Sequence, residues 1–162
     1  MADLFENDKI FYTKYEPKVQ NRFILEIEGI PSFLCKKCSR PQLECGEVVL
    51  DHINIIRKLK GKCKWGDITV TMYDAIVPSG AQAVMEWVRT SHESVTGRDG
   101  YADFYKKDFD MYVLGPVGDK VEQWSLKGGY IKTAAFGDMD WSAETPVEIA
   151  LTIAIDYAVL EY

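Results

Sequence analysis

The 162-residue sequence is short of the features most functions need. It has no run approaching the roughly 18 consecutive apolar residues of a membrane helix, and its acidic opening, MADLFE, lacks the basic region of a signal peptide. The expectation is a chain folded in cytoplasm, with no stable membrane association. No GxGxxG, P-loop, HExxH or GxSxG occurs, so phosphate-cradling loops, zinc-peptidase helices and nucleophile elbows find no support. The two histidines, His52 and His92, lie far apart with no local nucleophile or metal pattern. The reading is a non-enzyme without a cofactor.

Cysteine is scarce too, at four residues. Cys35 and Cys38 form CKKC, with Cys45 and Cys63 beyond, which makes a four-thiolate zinc site numerically possible. Two facts oppose it: i and i+3 on a strand point to opposite faces, and the Cys45–Cys63 segment is rich in apolar residues that need burial. In a reducing compartment the four are expected as thiols. Asp138 and Asp140 fit a solvated turn better than a cation loop.

What is present is apolar and aromatic content: 47% hydrophobic residues with nine Tyr, seven Phe and four Trp. That fits one folded domain spanning residues 1–162. Charge is uneven. The net charge is -6, yet residues 35–64 carry eight Lys or Arg against three acids, leaving -11 on the remainder. A basic segment on an acidic body can pair copy to copy. Arg57, Lys58, Lys60, Lys62 and Lys64 beside Trp65 also resemble a nucleic-acid patch, but no second phosphate-gripping cluster accompanies them.

Periodicity points to a mainly β fold. Phe23, Leu25 and Ile27 share one face with Arg22, Ile24, Glu26 and Glu28 on the other; Ile68, Val70 and Met72 lie opposite Thr69, Thr71 and Tyr73, and Phe109, Met111 and Val113 are likewise in register. Strands are also expected over 33–38, 121–126 and 129–136, with a bend at Gly128-Gly129. The longest alternation is VEIALTIAIDYAV, where Val147, Ile149, Leu151, Ile153, Ile155, Tyr157 and Val159 share one face. Residues 147–157 read as one very long strand, Glu148, Ala150, Thr152, Ala154 and Asp156 forming its shallow second face. One helix is expected after Pro78: Ser79 and Gln82 have capping-box spacing, and Ala81, Val84, Met85 and Val88 form its stripe, with Trp87 beside it. Residues 95–105 read as loop.

Two segments do not fit a simple core. Residues 1–20 hold Phe5, Phe11, Tyr12 and other large apolar groups without a period, so they read as a contact arm. Residues 47–59 place Val48 and Leu50 opposite Val49, Ile53 and Ile55, apolar on both faces, as in a long bent excursion covered by something else.

Taken together, KWGDITVTMYD at 64–74, the helix through Ala83 to Trp87, SLKGGYIK at 125–132, FGDMDW at 136–141 and the final alternating strand ending in Asp156-Tyr157 resemble the tail tube proteins of T4-like contractile-tailed bacteriophages. The likeness runs from about residue 20 to the end. It departs at Gly128-Gly129-Tyr130, where family members often carry bulky Trp and Pro, and at CKKC. The resemblance implies an antiparallel β-barrel or sandwich with one flanking α-helix and an extended inter-ring loop, assembled as hexameric rings stacked into a tube. It implies sheath, baseplate and tail terminator proteins as partners, DNA passing along the lumen, and a place in the virion. Related tubes occur in phage-tail-like bacteriocins, extracellular contractile devices and type VI secretion; a stand-alone β-barrel binding module is the remaining alternative. By family pattern, Phe5, Phe11, Tyr12, Val49, Ile53, Ile55, Arg57 and Lys58 are ring-to-ring contact candidates. Glu26, Glu28, Glu148 and Asp156, opposite the core, are lumen candidates whose charge would keep DNA from adhering.

Overall fold

A computed structural model of the chain describes residues 16–162. The candidates Phe5, Phe11 and Tyr12, and most of the expected arm, lie outside the described residues. Nine strands and two helices follow in the order β1 (Phe23–Ile27), β2 (Cys35–Cys38), β3 (Leu43–His52), β4 (Ile55–Trp65), β5 (Ile68–Tyr73), α1 (Gly80–Ser91), α2 (Ala102–Tyr105), β6 (Lys107–Leu114), β7 (Lys120–Ala135), β8 (Glu148–Ala154) and β9 (Tyr157–Leu160). Seven strands form one antiparallel path, β1-β6-β7-β8-β5-β2, with β9 also on β7. Among the described residues β1 and β2, at its two ends, are not paired, so the ladder stays open as a sandwich rather than closing into a barrel.

The two layers share β7. Its first half pairs with β6 and β9, its second half with β8. The bend falls at the predicted glycines: Gly128 has φ +65°, and a Cβ on Gly129 would sit 2.4 Å from Phe109 Cε1. Only glycine meets both demands. In the second layer Ile68, Val70 and Met72 lie opposite Ile153, Leu151 and Ile149, all buried. Leu25, Ile27, Phe109, Met111 and Leu126 complete the core from the first layer.

The long strand expected over 147–157 is two strands. β8 stops at Ala154 and β9 starts at Tyr157, because each must follow a different half of the bent β7. Asp156 makes the corner: its N–H donates to the Lys127 carbonyl, and its carboxylate fills the space beside Gly128. The face inverts across this break. Ala158 is buried, whereas Tyr157 and Val159, expected inside, are exposed.

Helix α1 begins as predicted, the Ser79 hydroxyl accepting from the Gln82 N–H at 3.4 Å. Its deepest residues are Val84 and Trp87 rather than Met85, and the Trp87 indole N–H donates to the Tyr105 carbonyl at 2.7 Å. That acceptor belongs to α2, within the stretch expected as loop. Phe33 and Leu34, expected to open a strand over 33–38, instead belong to a 3-10 turn, Ser32–Leu34, before β2.

Candidate assembly surface

The segment expected as a bent excursion is a hairpin, β3 against β4, reversing at Ile53-Asn54 between the paired His52 and Ile55. Antiparallel partners share a face, so Ile55 joins Val48, Leu50 and Leu59, while Val49 and Ile56 lie opposite. The reversal corrects the expectation that Ile55 sits with Val49. Two-residue hairpin turns favour Asn-Gly or similar pairs because the backbone must enter the left-handed region. Ile53 does so at φ +33° with a β-branched side chain, and that side chain is fully exposed, at 105%. Such a residue costs local stability in the free chain.

Among the described residues nothing in the body covers this hairpin. Every residue of β3 is exposed, and Val48, Val49, Leu50, Ile55, Ile56 and Leu59 present large apolar side chains to water. Beyond its own pairing it touches mainly β9. A lone two-stranded hairpin is marginal in water, and an exposed apolar set on one element makes it a candidate binding surface. The predicted cations line it. Lys58 pairs with Glu47 at 3.2 Å, and Arg57 stands opposite Leu50.

At the hairpin base Cys45 and Cys63 face each other in register and form a disulfide. This corrects the expectation of four free thiols; the reason is the register, which brings the two residues together across 18 positions of sequence. The other two are free and partly buried. A register shift between Cys35 and Lys37 turns both Cys35 and Cys38 toward the core, where simple alternation would separate them. Burial pushes the Cys35 thiol up to about 11 and that of Cys38 up to about 12. Both are therefore protonated at neutral pH, poor as nucleophiles or metal ligands. Among the described residues no group of three or more His, Cys, Asp or Glu could hold a metal.

The four lumen candidates are not brought together. Glu26 alternates with buried Leu25 and Ile27 on the outer face of the first layer, and Glu28 follows just past the strand. Glu148 lies on the outer face of the second layer, beside buried Ile149, and pairs with Lys36. Asp156 occupies the corner and pairs with Lys106 at 2.9 Å. Because the outer faces of a two-layer sandwich look in opposite directions, one channel wall cannot take all four. Acidity concentrates on the first layer instead: Glu26 stands opposite Asp110 in register. Burial first, and then the charges of Asp110 and Glu26, hold the Tyr112 hydroxyl above its ordinary range.

An open sandwich with a bent shared strand, one covering helix and a projecting hairpin is a distinctive combination. Solved structures of about the same length match the fold as a whole. The chain is similar to one in the cryo-EM structure of the sheath/tube terminator of PVC, an extracellular contractile injection system, in its extended state (TM-score 0.74, 14% identity, 93% of this chain and 100% of that one). A chain of the anti-feeding prophage tube-terminating cap matches with TM-score 0.73 at 14% identity, over 91% and 92% of the two chains. The PVC sheath-tube complex supplies another match, with TM-score 0.68 at 14% identity over 94% and 96%. The fold is that of contractile-injection-system tube and sheath proteins. No protein-family model matches the sequence, and no curated protein does. The fold is thus shared at 14% sequence identity.

The hairpin is the element that sequence reasoning located without resolving. Its signal was the apolar run on both faces, and the missing piece was a turn whose residues, Ile53-Asn54, lack the usual glycine.

Proposed function

We propose that the chain is a non-enzymatic structural protomer of the inner tube of a contractile injection system. The observation that carries this reading is the uncovered β3–β4 hairpin, whose apolar faces and strained, fully exposed Ile53 have no use in an isolated subunit. The fold matches to a tube-terminating cap and a sheath-tube complex support it. In this reading Val49, Ile53, Ile55, Arg57 and Lys58 make ring-to-ring contacts, together with Phe5, Phe11 and Tyr12. Copies meet head to tail, a heterologous contact that closes into rings or continues as a stack. Hexameric rings, and sheath, baseplate and terminator partners, follow from the same reading.

An extracellular injection device is the setting we favour, since two of the matched structures are of an extracellular contractile injection system. A contractile phage tail tube that conducts a genome is the second reading, supported by the quoted motifs from 64–74 to 147–157. In either setting we assign the lumen wall to the layer bearing Glu26 and Glu28, because Glu148 and Asp156 are partnered by lysines. A density map with Glu26 and Glu28 on the sheath side would reverse that assignment.

Negative-stain microscopy and sedimentation of the purified chain test the proposal. Hollow rings or rods of constant diameter are expected. Raising salt from about 0.1 to about 1 M should weaken stacking more than ring closure, since only rim charges are screened. A monomer under every condition, with or without sheath partner, would overturn it.

A further inference from the structure

The unpaired ends of the ladder leave a cleft of about 530 Å³ between β1 and β2. Phe23, Met111 and Val113 give it apolar walls, and five cations surround them: Lys18, Arg22, Lys36, Lys37 and Arg40. Among the described residues no acidic side chain lines it. Two carboxylates reach these cations, Glu122 to both Lys18 and Arg40, and Glu148 to Lys36. Among the described residues the cleft therefore keeps an excess of three positive charges. Edge strands beside an open seam invite an added segment.

One described segment has the opposite character. The loop from Phe136 to Pro146 reads FGDMDWSAETP: three acids and no Lys or Arg. Its large apolar residues are presented rather than hidden, Met139 at 84% and Trp141 at 106% exposure. It has a defined shape as well. The Asp140 carboxylate accepts from the Ser142 N–H at 3.0 Å and its hydroxyl at 2.9 Å. The backbone hydrogen bond first, then the hydroxyl, holds the Asp140 carboxyl below its ordinary value, so it stays charged. A fully exposed Trp on an acidic turn is unusual for a surface without a partner.

We infer that the 136–146 loop of one copy docks in the β1–β2 cleft of a neighbouring copy, Trp141 and Met139 entering the apolar walls while Asp138 and Glu144 meet Arg22 and Lys37. The charges favour this occupant over the hairpin, which is basic like the cleft. The loop does not fill its own cleft, since Trp141 lies fully exposed. Donor and acceptor are different patches, so the contact repeats around a ring. This inference rests on the tube reading and adds a second, charge-matched contact to the apolar one at the hairpin.

The test is a charge swap in the full chain, scored as the fraction sedimenting as rings or rods. Asp140 is left alone because it holds the turn. Arg22→Glu with Lys37→Glu, and separately Asp138→Lys with Glu144→Lys, should each lower that fraction at least about tenfold, with thermal unfolding of the monomer unchanged. All four changes in one chain should recover it to within about threefold of the original, as coupled sites do. A loop variant that assembles normally, or a four-fold variant without recovery, overturns the inference and leaves the tube reading standing. Loss in the cleft variant alone assigns the cleft to another occupant, such as residues 1–15, and overturns it too. If the unaltered chain never assembles, the tube reading falls and this contact with it.

Discussion

Ile153 and Ile53 are the same residue in opposite surroundings. Ile153, in β8, lies opposite Ile68 and is wholly buried; Ile53 stands at the hairpin turn, wholly exposed with a left-handed backbone. The body buries its apolar residues against one another across two layers, and the hairpin displays a comparable set to water. The body is therefore stable by its own packing, while the hairpin finds no such burial among the described residues and, under the proposed function, gains it from another copy. Folding and assembly thus draw on separate residues, and each can be disrupted without the other.

The largest test of that separation pairs one change from each region. Ile153→Ala should cost about 2–5 kcal/mol by opening a cavity between the layers, read as a fall in thermal midpoint. Ile53→Asp with Ile55→Asp should leave the monomer within about 0.5 kcal/mol, as surface changes usually do, yet abolish rods in negative stain. A clear drop in the monomer's stability from the hairpin pair would break the comparison.

How legible each region was follows the same division. β5, β6 and α1 were readable because their signals are local: strict alternation in Ile68–Tyr73, and a capping serine before an apolar stripe. The hairpin was half-legible. Its two-faced apolar run was evident, but the reversal was not, since Ile53-Asn54 carries no turn signature. The β8–β9 break was invisible because its cause is distant: the chain at 155–156 must follow the bend of β7, and only pairing reveals which half of β7 each piece joins. The lumen candidates failed to gather for a similar reason, as alternation tells inside from outside of a layer but not one layer from the other. The Cys45–Cys63 bond likewise depends on a register that spacing does not encode.

The bend itself gives the next largest effect. Gly129→Ala drives a methyl to within 2.4 Å of the Phe109 ring and 3.3 Å of the Lys107 carbonyl. Overpacking of this kind should cost about 1–3 kcal/mol. Because the bend orients both layers but not the hairpin, hydrogen exchange should rise across β6 and β8 and stay unchanged in β3 and β4. Equal loss of protection in the hairpin would tie the two regions together.

Glu122 sharpens the contrast from within the body, being a charge where the rest is apolar. It is buried and accepts from Lys18, Arg40 and the Trp124 indole. Burial alone would raise its carboxyl, but hydrogen bonds from Lys18 and Trp124 and the charges of Arg40 and Lys18 outweigh it, holding the group below its ordinary 4.5. A depressed folded value adds stability that is present above the ordinary value and lost as pH falls through the lower, folded one. Glu122→Gln keeps an acceptor for Trp124 and should cost about 1–2 kcal/mol at neutral pH, with the difference from the unaltered chain vanishing in acid. A difference that persists below that window would assign the effect to packing instead.

The smallest effect isolates the turn. Ile53→Gly removes a β-branched side chain from the left-handed region, where a non-glycine residue is disfavoured by about 1–2 kcal/mol. Glycine's own chain entropy takes back roughly 0.5–1 kcal/mol of this. The net expectation is a hairpin more protected by about 1 kcal/mol or less, seen as slower amide exchange in residues 43–65 with the thermal midpoint of the body unmoved. The same change should weaken assembly, because the side chain it deletes is the one most fully presented to a neighbour. A hairpin that gains local stability while the tube loses it would mean that the strain at Ile53 is retained for contact. Equal or better assembly would instead make the turn a local accident and move the ring-to-ring contact down to Val48, Leu50 and Ile55.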